Sequence, residues 1–144
     1  MKQNKMLLPL LLLCTALLLG GCAAPWSTFY MEDVLPPILD EFTWLPLVDS
    51  VTVTRVSDGA VVTVSGTDVE LLYGCFEETE CTRRSGTVSA LYTVEFTMTD
   101  PADMRPALAV GEYRGTVCCA MDGYRYRPVS VSFDLAFIEG LFAG

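Results

Sequence analysis

Val129-Ser130-Val131-Ser132-Phe133-Asp134-Leu135-Ala136-Phe137-Ile138-Glu139-Gly140-Leu141-Phe142 is the stretch on which the fold turns. Val129, Val131, Phe133, Leu135 and Phe137 recur at every second residue, the period of a strand. Leu135, Ile138 and Phe142, with Phe137 and Leu141, recur at three and four residues, the period of a helix. Ser132 stands where a helix cap would. Read as a helix, the stretch closes an α+β domain. Read as a strand, it makes the chain an all-β sandwich.

Upstream lies Tyr124–Pro128, a short strand set off by an Asp122-Gly123 turn. Tyr124 and Tyr126 alternate there with Arg125 and Arg127. Rings and guanidiniums on one strip would bind a ligand or partner. The plainer alternative is a two-faced strand with rings packed and arginines in water. Glu112–Met121 reads as one strand with Tyr113, Val117, Cys119 and Met121 on one face, which turns Cys119 inward and Cys118 outward. Met104–Val110 reads as an irregular connection, and Asp100-Pro101-Ala102-Asp103 as a turn. Thr87–Thr99 is the clearest strand. Val88, Ala90, Tyr92, Val94, Phe96 and Met98 face one way, threonines and Glu95 the other, and Leu91 breaks the pattern.

Thr67-Asp68-Val69-Glu70 resembles a capping box, with Thr67 as the cap. Val69, Leu72, Tyr73 and Phe76 then share a helical face. Glu77, Glu78 and Glu80 read as a solvated loop near Arg83 and Arg84. Ser50–Val56 and Ala60–Ser65 are β-branched runs joined through Asp58-Gly59, a hairpin signal. The expected fold is therefore α+β: an antiparallel sheet of about five strands with two helices over residues 50–144, the all-β sandwich being the alternative. Residues 22–49 form a Pro/aromatic-rich tether. Its prolines prevent a long helix. Its aromatic rings either dock on the domain's own core or lie at a membrane interface.

Lys2 and Lys5 precede an apolar run, Met6–Leu19, that ends in small residues. That is the layout of a signal peptide, and the run is short for a permanent span, which takes ~20 residues. Leu19-Gly20-Gly21-Cys22 resembles the lipobox of bacterial prolipoproteins. The resemblance implies cleavage after residue 21, with Cys22 as the lipidated first residue of the mature chain. It implies a protein held at the cell membrane by acyl chains, facing outside the cytoplasm. The order of hairpin, capped helix, long strands, Asp-Gly-Tyr turn and terminal apolar run is similar to small bacterial lipoproteins with an uncharacterised α+β domain. In those the chain closes with a helix, which favours the helical reading of the last stretch.

Loss of residues 1–21 removes Lys2 and Lys5. Seven basic residues remain, all arginine, against all 18 acidic ones, a formal charge of −11. Such a chain repels phosphate backbones, so nucleic acid is not an expected partner. Cys75, Cys81, Cys118 and Cys119 are candidates for disulfides, which an exported chain permits. Buried free thiols are the alternative. No metal or cofactor is expected: vicinal Cys118-Cys119 project to opposite sides of a strand, and the chain has no histidine. A nucleophile needs a base to activate it, and neither histidine nor, after Lys5, lysine is present. The expected function is a non-enzymatic binding or accessory domain with a protein or envelope partner. A structural or regulatory envelope protein is the alternative, and a small carboxylate-dependent hydrolase a distant third. If the Tyr124–Arg127 strip binds the partner, Tyr126→Ala with Arg125→Ala abolishes capture and spares the fold.

Overall fold

A computed structural model describes residues 27–144. The signal-peptide reading of residues 1–21 and the lipidation site Cys22 lie outside the described residues. Eight strands form one antiparallel sheet. In chain order they are β1 (Thr28–Tyr30), β2 (Val48–Arg55), β3 (Val61–Ser65), β4 (Glu80–Ser85), β5 (Ser89–Met98), β6 (Ala107–Tyr113), β7 (Thr116–Met121) and β8 (Tyr124–Pro128). Their spatial order is β1-β4-β8-β7-β6-β5-β2-β3. Two short helices accompany them, α1 (Thr67–Gly74) and α2 (Ala136–Leu141). The α+β expectation of about five strands is thus corrected: the sheet dominates, and strands missing from the sequence reading complete it.

Each correction has a local cause. Met104–Val110 is not an irregular connection, because Leu108 and Val110 are buried in β6 and only Ala107, Ala109 and Pro106 disguise the alternation. Glu112–Met121 is not one strand. Arg114 (φ 50°) and Gly115 (φ 77°) fold it into a two-residue hairpin turn between β6 and β7. Tyr113 therefore pairs with Thr116, out of phase with Val117, Cys119 and Met121. The acidic segment ends in β4, whose one buried side chain is Cys81. Leu91 breaks the β5 pattern because the register slips between Ala90 and Tyr92, a bulge whose Leu91 carbonyl accepts from Val56 N at 2.9 Å.

One face of the sheet carries the core. Val51, Val53, Val94, Phe96, Leu108, Val110, Cys119 and Tyr126 contribute from the strands. α1 covers them with the Val69, Leu72 and Tyr73 face that the sequence indicated, and Phe76 follows just beyond its end. The cap differs from the expected box: Gly66 (φ 61°) precedes the helix, its carbonyl accepts from Val69 N at 3.1 Å, and Thr67 is the first helical residue. Tyr73 meets Phe96 edge-on at 5.7 Å, and Phe76 meets Phe133 at 5.4 Å. The last stretch adds no strand: residues 129–131 bend away from the end of β8, residues 132–135 are irregular, and the helix occupies only Ala136–Leu141. Asp134, not Ser132, accepts from the first helical amide at 3.0 Å. Thr28–Val48 joins the same unit, since β1 pairs with β4, and Met31, Leu35 and Val48 are buried in the core.

Candidate functional site

The Tyr124–Arg127 strand is split between two surfaces. Tyr126 lies on the core face at 5 % exposure. Tyr124 lies at the exposed margin of that face, with the Arg83 guanidinium 4.7 Å from its ring centre and 4.3 Å from Phe29's. Arg125 and Arg127 project from the outer face, where register places Arg125 opposite Arg84 and Arg127 opposite Thr82. Arg114, at the β6–β7 turn, completes a hollow of about 520 Å³ that also touches Tyr113 and Ser85.

Local structure fixes this cleft. Arg125 donates Nη1 to the Thr87 carbonyl at 3.0 Å and lies 3.3 Å from the Tyr113 ring centre. Arg114 also faces that ring, at 5.2 Å. Arg127 donates Nη2 to Thr116 Oγ1 at 3.4 Å. Gly86 (φ 144°) leaves room for the Arg125 guanidinium, since a Cβ there would meet Nη1 at 2.4 Å. Only Arg125 and Arg127 of this group were visible as candidates in the sequence. In the sequence Arg84 reads only as a neighbour of the acidic loop, and Arg114 carries no signal because Arg-Gly is not a usual hairpin pair.

Among the described residues the cationic charge here has no acidic partner. The two ion pairs among the described residues, Arg55–Asp58 and Arg105–Glu95, lie elsewhere. Residues 1–26 contain no Asp or Glu that could supply one.

The four cysteines among the described residues, Cys75, Cys81, Cys118 and Cys119, are all buried and all free. Cys81 on β4 and Cys119 on β7 are separated by β8. Cys81 pairs with Pro128 and Cys119 with Tyr126, so two strand spacings of ~9–10 Å and a two-residue offset separate their Cα atoms, outside the ~7 Å reach of a disulfide. Burial pushes Cys81 up to about 12 and Cys119 well above its usual range. Cys118 faces the cleft side, where burial raises its pKa against the pull of Arg127 and Arg125. Thiols held neutral in this way are poor nucleophiles. Among the described residues no three His, Cys, Asp or Glu side chains converge as metal ligands would.

A second feature lies in the Pro/aromatic-rich segment. Phe42, Trp44 and Leu45 are 90 %, 73 % and 63 % exposed. They sit on a closed loop. Asp40 Oδ1 accepts from Phe42 N and Thr43 N at 2.9 and 2.8 Å, and Asp40 N donates to the Leu45 carbonyl at 2.9 Å. Those amide bonds hold the Asp40 carboxyl below its usual range. Trp44 takes φ 59°, an uncommon conformation for a bulky residue. Beside the loop runs a groove of about 600 Å³ touching Ile38, Leu39, Pro46 and Val69.

Fold and site together define an antiparallel β-sheet protein with a cationic cleft on one face and an apolar loop at one end. No family model, curated protein or solved structure matches this chain.

Proposed function

We propose that this chain is a lipid-anchored envelope protein, facing outside the cytoplasm, with a structural or regulatory role at the membrane surface and no catalytic one. The observation that carries this reading is the exposed Phe42–Leu45 loop. Water contact with those side chains is unfavourable by ~25 cal/mol for each Å² of apolar surface, yet the Asp40 turn holds them outward. Trp and Phe suit the boundary between headgroups and acyl chains.

The topology supports the same surface. β1 and β2 run in the same direction within the alternating sheet, so Thr28 and Val48 start at the same end. The loop runs into Val48 at that end. Cys22 precedes Ser27 by five residues, a reach of at most ~17 Å. Acyl chains on Cys22 and the aromatic loop would therefore meet one bilayer. Asp40, Glu41 and Asp49 beside the loop favour zwitterionic over anionic headgroups.

Two measurements test the reading. The intact mass of membrane-extracted protein should equal residues 22–144 plus a diacylglyceryl group or more. Full-length or unlipidated protein in the medium would overturn the anchor. In vesicles of phosphatidylcholine brominated near the headgroup, the Trp26→Phe protein should show blue-shifted, quenched Trp44 emission. Unquenched emission at the wavelength of tryptophan in water, from protein that floats with the vesicles, would overturn loop docking alone.

A further inference from the structure

We propose that the outer-face cleft formed by Arg84, Arg114, Arg125 and Arg127 is a binding site for a small, multiply charged phosphate-type anion. Four of the seven arginines beyond residue 21 converge there, in a chain whose charge is otherwise strongly negative. The arrangement is unfavourable without a ligand. Arg84 and Arg125 stand directly opposite on neighbouring strands, and like charges so placed destabilise a sheet. Arg114 occupies φ 50° at the turn, a conformation costly for a residue with a Cβ. Thr87 and Thr116 restrain the Arg125 and Arg127 heads, so part of the ordering cost of binding is already met.

The ligand class follows from the donors. Guanidiniums offer forked N–H pairs that match oxyanions. A carboxylate has two oxygens and is satisfied by one fork. A phosphate group presents three oxygens and up to two charges, and two linked phosphates engage four forks around one centre. About 520 Å³ admits a diphosphate with a modest substituent. A long polyanion would meet the 18 acids outside the cleft, whereas a small one stays within it. The inference stands apart from the membrane reading, because the cleft lies on the sheet face rather than on the loop.

Titration of the full chain, extracted in nonionic detergent, with inorganic pyrophosphate in 150 mM NaCl tests it. The expected result is saturable binding at one site, with a rise in melting temperature as pyrophosphate relieves the charge repulsion. Arg84→Gln with Arg114→Gln should weaken binding at least tenfold. Among the described residues neither side chain makes a hydrogen bond or ion pair, and Arg114 only faces the Tyr113 ring at 5.2 Å, so the ligand-free melting temperature should change little. No saturable binding, or equal binding by the double variant, overturns the site. Displacement of pyrophosphate by phosphatidic acid in mixed micelles, and not by phosphatidylcholine, would place the phosphate on a lipid. Failure of phosphatidic acid to compete would place it on a soluble molecule.

Discussion

On β8, Tyr126 sits at 5 % exposure in the core while Arg125 and Arg127, its immediate neighbours, reach into the outer-face cleft. Cys118 and Cys119 divide in the same way on β7. The two faces of one sheet thus answer to different constraints. The core face is filled by apolar groups in edge-on and stacked contact, and no buried side-chain nitrogen or oxygen among the described residues lacks a partner. The outer face gathers like charges that a stability argument alone would disperse. Packing explains the first face, and the proposed anion would account for the second.

The sharpest way to break this contrast is Gly111, where the two faces depend on one backbone contact. A Cβ at Gly111 would lie 1.9 Å from the Ser89 carbonyl oxygen, and neither strand can yield without losing β5–β6 pairing. Gly111→Ala should cost more than ~3 kcal/mol, read as loss of the cooperative urea transition. A retained midpoint would show that the strands part at no cost. Next in size is the adjacent pair on β8. Tyr126→Ala should cost about 3 kcal/mol as a large-to-small change in the core, whereas Arg84→Gln on the outer face should stay within ~0.5 kcal/mol. Equal costs would erase the distinction between the faces. The sequence-based expectation that Tyr126→Ala with Arg125→Ala spares the fold is thereby corrected, because the tyrosine is core.

A further test reads the buried thiols by pH. Burial raises the pKa of Cys75, Cys81, Cys118 and Cys119 in the folded chain. Their stabilising effect is fully present below the unfolded thiol value of ~8.5 and is lost as pH rises toward the folded values. The urea midpoint should therefore fall steadily from pH 8 to pH 11. Arginine side chains stay charged across that window, and Arg84 is not among the charges acting on any of these thiols, so Arg84→Gln should leave the slope unchanged. A midpoint flat across the window would mean that the thiols are not held neutral.

Much of the core was legible from the sequence. The β2–β3 hairpin, the buried face of α1 and the alternation along β5 each rest on a periodicity that packing enforces. β4 was not legible, because a strand next to the sheet edge with one buried side chain shows no alternation. β6 hid behind alanines, which have low strand preference. The cleft was half legible. Arg125 and Arg127 stood out beside tyrosines, but Arg84 and Arg114 reach them through pairing between β4 and β8 and through a turn whose residues carry no signature. Sites assembled across strands far apart in sequence leave no local pattern to read.

β1 has a mechanical consequence. It is the first described strand, three residues long, and among the described residues it pairs only with Thr82, Cys81 and Glu80. Any force on the preceding residues, whether from an acyl anchor or a stretched envelope, is applied to this strand before any other. Its bonds are few, and the next firm hold is the buried side chain of Met31, whose amide donates to the Thr79 carbonyl at 3.1 Å. Load would detach β1 and bare the edge of β4 while β8, β7, β6 and β5 stay joined. The molecule would lengthen by a few residues at low force and then stiffen.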